Sequence, residues 1–246
     1  MTLWHLEWLR LFRTRKWMIL AGVYGFFGVL GPLTARYLEQ IMRAIGGGVE
    51  VNLPQMTAAD GITQYVGNAQ QLGLLAVAFV AAGALAFDSN VEMSIFLRTR
   101  ARVPAIFTPR FVVNALAAVA AFTFGAVLAY VGTGLLLAWL PLDDVVVGVL
   151  LHAVYLVFVV AVIGFLASVF RGVLPVALTT LGAMILIAVL AIIEPLAAWL
   201  PSELVGALDI LIRGGGFDYW RSLLVTVAVI PVLVWATLTR LSSREV

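Results

Sequence analysis

The side chains of this chain that could take part in chemistry are few and widely spaced. Its one lysine, Lys16, follows no glycine-rich loop, so the sequence contains no phosphate-binding loop of the usual glycine–lysine type. Its two histidines, His5 and His152, have no second histidine or cysteine beside them to complete a zinc site. The chain has no cysteine, which excludes disulfides and thiol chemistry. We therefore expect no catalytic site, metal or cofactor on this chain.

The carboxylates give no stronger signal of catalysis. Asp143 and Asp144 are adjacent, and the Pro141 that precedes them predicts a solvated turn. Glu194 is followed by a proline, which favours a helix end over a proton relay. An intramembrane enzyme would need polar side chains clustered at membrane depth, and the sequence shows no such cluster.

The elements that must carry these residues are long apolar segments. A helix needs about 20 mostly apolar residues to cross the hydrocarbon core of a membrane. Six segments are near or above that length, so the fold class is all-α and polytopic. The predicted spans are residues 17–38, 66–87, 111–139, 145–170, 172–193 and 220–238.

The basic residues lie mainly on one side of these spans. With the N-terminus in the cytoplasm, the cytoplasmic segments hold 11 of the 15 basic residues. Basic residues in short loops favour the cytoplasmic side. The sequence therefore predicts that both termini are cytoplasmic. The basic residues that lie outside are Arg36, Arg43, Arg213 and Arg221.

The composition leaves no room for a separate soluble domain. The chain is 63% hydrophobic and 11% charged, against about 25% charged in soluble proteins. We expect one membrane domain over residues 1–246, with six spans within residues 17–240. The first apolar segment lacks a clear cleavage site, so we expect it to be retained. The net charge of +2 favours lipid headgroups or a cytoplasmic partner over nucleic acid.

Residues 1–16 are predicted to form an interfacial helix that lies in the headgroup layer. An aromatic face opposite a basic face is typical of such helices. The alternative is a charged lead-in that only sets the topology. The predicted apolar face comprises Trp4, Trp8, Leu11 and Phe12, and the polar face Glu7, Arg10, Arg13 and Thr14.

A charged stretch, residues 88–104, separates spans 2 and 3 on the cytoplasmic side. Val91 and Ile95 form a short apolar stripe at helical spacing, and Pro104 and Pro109 are predicted to end the stretch before span 3. Two interpretations remain open: a short amphipathic helix that exposes Arg98, Arg100 and Arg102, or a basic loop that serves the topology alone.

The segment between spans 5 and 6 is predicted to contain a second short amphipathic helix. Pro201 and Ser202 begin it, with Ser202 as a candidate N-cap, and a run of three glycines at residues 214–216 ends it. This helix is too short to span, so it dips into the outer leaflet or covers a cavity. We expect Leu204, Leu208 and Leu211 to form an outer gate; the alternative is a passive cap over the span ends.

Taken together, these features resemble the permease subunits of ABC-2-type ABC transporters. The resemblance covers the whole chain and rests on six spans with both ends inside, the amphipathic lead-in with its basic end, the stretch from Glu92 to Arg110, and the proline-containing outer segment. Family members often follow the loop glutamate with Gly-Thr, whereas Met93 and Ser94 follow Glu92 here.

The resemblance implies a function that the composition alone does not. Permeases of this family work in pairs and dock on two ATP-binding subunits, which hold the ATP and Mg. The resemblance also implies a coupling helix between spans 2 and 3 and transport by alternating access.

The abundance of Arg over Lys indicates a bacterial source, hence the bacterial inner membrane. The apolar spans suit a lipophilic or amphipathic cargo such as a drug, lipid or peptide. A non-transporting membrane scaffold and, less favoured, an intramembrane enzyme are the rival classes. The residues assigned to ATPase coupling are Glu92, Ile95, Arg98, Arg100 and Arg102.

Overall fold

A computed structural model describes residues 2–45, 56–86 and 102–243. Within these ranges the chain forms helices joined by turns and contains no strand, which confirms the all-α class. The α-helices, labelled α1 to α10 in chain order, are Leu3–Arg13, Lys16–Ile45, Ala58–Asn68, Leu74–Leu85, Val103–Leu136, Leu142–Ala167, Val173–Leu190, Glu194–Ala197, Glu203–Ile212 and Trp220–Ser243. A π-helix, Ala69–Gly73, joins α3 to α4.

The described residues contain six helical stretches long and apolar enough to cross a membrane, as predicted. Four of them begin within three residues of their predicted starts. The six spans are Lys16–Leu38, Ala58–Leu85, Val103–Leu136, Leu142–Val169, Val173–Leu190 and Trp220–Ser243.

Span 2 begins earlier than predicted, and the polar interval before it is shorter. The prediction placed a loop over residues 39–65, but α2 continues to Ile45 and α3 starts at Ala58. Thr57 and Asp60 explain this start, because the Thr57 backbone N–H donates to Asp60 Oδ2 over 2.6 Å. In this capping box, the Asp60 carboxylate accepts a hydrogen bond from the Thr57 backbone N–H, which has no partner within the helix.

Span 3 also begins earlier than predicted, because Pro104 and Pro109 lie within its helix instead of preceding it. Pro104 lies in the first turn of α5, where the missing N–H is not needed by the helix. Pro109 lies inside the same helix and is buried. Membrane helices tolerate such prolines when neighbouring groups satisfy the freed backbone.

Spans 1, 2 and 3 pack closely through glycines. A Cβ added to Gly31 of span 1 would lie 2.7 Å from the carbonyl oxygen of Gly61 in span 2. A Cβ added to Gly125 of span 3 would lie 2.5 Å from the carbonyl oxygen of Tyr24 in span 1. Small residues allow membrane helices to approach this closely. At these positions they serve packing inside one chain.

The connections on either side of span 4 are short. Asp143 and Asp144 lie in the first turn of α6 rather than on the predicted turn. This placement is favourable because the amino end of a helix carries partial positive charge. Gly172, with a φ of 92°, makes the turn into span 5, a conformation that a side chain would strain.

Candidate functional site

The first half of span 2 carries amide side chains at membrane depth. At about 1.5 Å per residue, Gln71 lies roughly 20 Å along the span from Ala58 and about as far from Leu85, near the span's midpoint. Gly67 and Gln71 are exposed on the surface of the chain, and Gln64 and Asn68 are half-buried beside them. We call these four residues the polar face of span 2.

Within the described ranges, the side chains of the polar face make few hydrogen bonds. The Asn68 side chain donates to the carbonyl oxygen of Gln64 in its own helix over 2.8 Å. The Gln71 side chain makes no hydrogen bond within the part of the chain that the structure describes. Polar groups in membrane helices nearly always face a protein interior or a water-filled cavity. We therefore expect a second chain or an aqueous path to cover this face.

The π-helix, Ala69–Gly73, contains Gln71 of the polar face and also its neighbour Gln70. A π-turn inserts an extra residue, so the side chains after it are rotated relative to those before it; such turns are frequent at functional sites. Gln70 points inward, where its Nε2 donates to the Tyr155 hydroxyl over 3.1 Å. That hydroxyl in turn lies 3.7 Å from the sulfur of Met184. Spans 2, 4 and 5 are thereby joined.

Aromatic rings surround this link. The Phe122 and His152 rings are parallel and stacked, with centroids 3.9 Å apart. The Tyr65 ring packs against Phe122 as well, and its hydroxyl donates to the Phe122 carbonyl over 2.6 Å. Among the described residues, Tyr24 Oη and His152 Nδ1 are buried with no hydrogen-bond partner.

The expectation that no polar side chains cluster at membrane depth is therefore wrong. Sequence reasoning missed the cluster because its aromatic members on spans 1, 3 and 4 are far from the amides of span 2 in the chain. The grouping offers amides, phenols and one imidazole, which can bind a polar or cationic group by hydrogen bonds and ring faces. The run of amides from Gln64 to Gln71 was the signal that could have revealed it.

The predicted outer gate is a buried helix face at the end of the bundle away from the N-terminus. Leu204 and Leu208 are fully buried, and Leu211 nearly so. Helix α9 lies on span 4, where a Cβ added to Gly148 would lie 2.6 Å from Leu208 Cα. The short amphipathic helix predicted here is present, and its apolar face is buried against span 4. Its role as a gate stays a prediction.

Two details of this segment differ from expectation or were not foreseen. Ser202 stands at the N-cap position of α9, but its side chain makes no capping hydrogen bond. Arg213, just after α9, donates to Asp60 Oδ1 over 2.7 Å and to Asp209 Oδ1 over 2.8 Å. These bonds raise the pKa of the Arg213 guanidinium. They tie α9 to the start of span 2, and no sequence pattern pointed to them.

Most of the predicted ATPase-coupling residues, Glu92, Ile95, Arg98 and Arg100, lie outside the described residues. Arg102 is described, and it is exposed at the N-cap position of span 3 in an extended conformation. Its exposure leaves it accessible to a partner or to lipid headgroups.

The N-terminal helix α1 places its aromatic side chains outward. Trp4, Trp8, Phe12 and Arg13 are exposed, and the rings of Trp8 and Phe12 are stacked with centroids 6.1 Å apart. Exposed aromatic rings on a short helix suit a membrane interface.

The predicted division of faces in α1 is partly wrong. Leu11 is buried and points to the bundle, together with Glu7 and Arg10 rather than with the tryptophans. Glu7 accepts a hydrogen bond from Arg110 Nε of span 3 over 2.8 Å, and Arg10 donates to the Gly83 carbonyl of span 2 over 3.2 Å. The buried face is charged because its partners on the spans are charged or are carbonyl oxygens at a helix end.

The fold and its exposed aromatic helix define a multi-pass α-helical membrane protein. Comparisons with protein-family models, curated protein sequences and solved structures found no match to this chain. Within the described ranges, no three His, Cys, Asp or Glu side chains lie close enough together to hold a metal ion.

Proposed function

We propose that the chain is the membrane-spanning subunit of an ATP-driven ABC exporter for a lipophilic or amphipathic cargo. The observation that carries the proposal is the polar face of span 2. Amides exposed at mid-membrane are costly against lipid, so the chain is best understood as one part of a larger assembly. The resemblance to ABC-2 permeases, which work in pairs, supplies the class of that assembly.

In this proposal the cargo passes beside the polar face, between two permease chains. Apolar spans suit an apolar cargo body, and the amides offer hydrogen bonds to its polar part. ATP and Mg are bound by separate ATP-binding subunits. The stretch between spans 2 and 3, on the cytoplasmic side in the predicted topology, transmits their closure to the spans, and the outer helix α9 moves as the gate.

The test is co-purification. The tagged chain, purified from its native host in mild detergent, should carry a subunit with a phosphate-binding loop and ATP hydrolysis activity. Changing Arg98, Arg100 and Arg102 to Glu should remove that subunit, since the reversed charges face the same partner surface. Membrane insertion should be unchanged.

Arg171 provides the matched control. It is exposed at the same end of the bundle as Arg102, but it lies in the turn between spans 4 and 5. Because the proposed coupling stretch lies between spans 2 and 3, Arg171→Glu should retain the ATPase. Purification of the wild-type chain without any ATPase, from cells that express it normally, would contradict the proposed function and favour the scaffold.

A further inference from the structure

A groove of about 480 Å³ runs between spans 1 and 2 near the N-terminal end of the bundle. Its walls are apolar apart from one lysine, and several of its residues are exposed on the surface of the chain. The residues that matter here are Lys16, Ile19 and Phe27 on span 1 and Leu75, Ala76 and Phe79 on span 2.

Lys16 lies at the end of this groove closest to α1. Its ammonium is next to the backbone of Gly83, since a Cβ added to that glycine would lie 2.9 Å from Lys16 Nζ. Arg10 donates to the Gly83 carbonyl from the same side. Lys16 has neither a hydrogen bond nor an ion pair with any residue in the described ranges. Glu7 lies beside them and pairs with Arg10 over 3.6 Å and with Arg110 over 2.8 Å. Three cations therefore face one carboxylate, so this end of the apolar groove keeps a net positive charge.

The length of the groove matches one leaflet of a membrane. Lys16 and Phe27 are about 16 Å apart along the helix at 1.5 Å per residue. Half of a hydrocarbon core of about 30 Å is roughly 15 Å. An acyl chain that lies in the groove from the apolar end would place its headgroup beside Lys16.

We propose that this groove binds an anionic phospholipid of the leaflet on the N-terminal side, with one acyl chain between spans 1 and 2 and its phosphate at Lys16 and Arg10. The charge of the site favours a lipid over a second copy of the chain. The nearby carboxylate of Glu7 is already paired with Arg10 and Arg110. Apolar helix faces from another subunit would cover Lys16 without adding a counter-charge, whereas a lipid phosphate supplies one. This inference is independent of the proposed function.

The experiment measures lipid retention by native mass spectrometry of delipidated protein in detergent. The added lipids are phosphatidylglycerol and phosphatidylcholine with the same palmitoyl and oleoyl chains. Wild type should retain phosphatidylglycerol in preference. Lys16→Gln should weaken that binding about fivefold, and Lys16→Arg should restore it. Arg13→Gln, an equal loss of charge on the exposed face of α1, is the matched control and should have a much smaller effect.

A second variant tests the groove itself. Ala76→Phe fills it, so binding of both lipids should fall, and adding Lys16→Gln to this variant should lower phosphatidylglycerol binding little further. Equal retention of the two lipids by wild type, or retention unaffected by Lys16→Gln, would overturn the proposal. It would equally be overturned if Ala76→Phe left lipid retention unchanged but reduced the dimer fraction in light scattering, because a second copy would then occupy the groove.

Discussion

At the scale of single residues, glycines decide how closely the helices approach. Gly148 shows this for a short helix, since an added Cβ there would lie 2.6 Å from Leu208 Cα of α9. A pattern of hydrophobic residues cannot distinguish this glycine from one in open space. Gly182 of span 5 also lies between apolar residues, but no atom lies within 4 Å of a Cβ added there.

We predict that Gly148→Ala destabilises the protein and that Gly182→Ala does not. The added methyl group must displace α9, and overpacking of this kind costs about 1–3 kcal/mol. At Gly182 only the higher helix propensity of alanine remains, a gain of up to about 1 kcal/mol. Thermal unfolding in detergent, followed by tryptophan fluorescence, measures both. Equal melting temperatures for the two variants would show that α9 is not seated on span 4.

At the scale of elements, ion pairs fix the short helices to the spans. Helix α1 is held by Glu7 and Arg110, whose side chains are 13% and 9% exposed. Helix α9 is held by its leucines and by the exposed Arg213 pair with Asp60. The first pair is shielded from water and therefore contributes more than the second, because exposed pairs contribute little.

We predict that Glu7→Ala releases α1 from the bundle. Loss of one partner from a largely buried pair costs about 3 kcal/mol or more. Hydrogen exchange in residues 3–13 should accelerate in detergent, while the six spans keep their protection. Arg13→Ala, on the exposed face of the same helix, should leave the exchange of α1 unchanged. If the two variants behave alike, the amphipathic helix is held by its apolar contacts alone.

At the scale of the whole molecule, the question is what covers the polar face of span 2. The chain contains no cysteine, so a single substitution introduces the only thiol. Gly67 is suited to this because it is exposed and an added Cβ would meet no atom within 4 Å.

We predict that Gly67→Cys forms a disulfide-linked dimer in membranes under copper phenanthroline, because two copies present this face to each other. The product should run at twice the monomer mass and return to monomer on reduction. Gly182→Cys, equally open but on span 5, is the control and should stay monomeric. A Gly67→Cys chain that remains monomeric and reacts with neither a membrane-impermeant maleimide nor a second copy would show that lipid covers the face.

Much of this protein was determined by its sequence alone. The number of spans followed from the length and hydropathy of local segments, since the bilayer sets the same requirement on every crossing helix. The short helices α1 and α9 were also predicted, because an apolar stripe at helical spacing and a terminating glycine run are local features of the sequence. The sidedness of the termini and the coupling residues remain predictions from charge and from resemblance.

Only the tertiary structure decided which side chains meet. Leu11 turns inward because Glu7 finds Arg110, more than a hundred positions away in the chain. Gln70 reaches Tyr155 while Gln71 is left exposed, because a π-turn and the crossing of three spans set the directions of neighbouring residues. Such outcomes depend on contacts between distant segments, and helical periodicity within one segment carries no information about them.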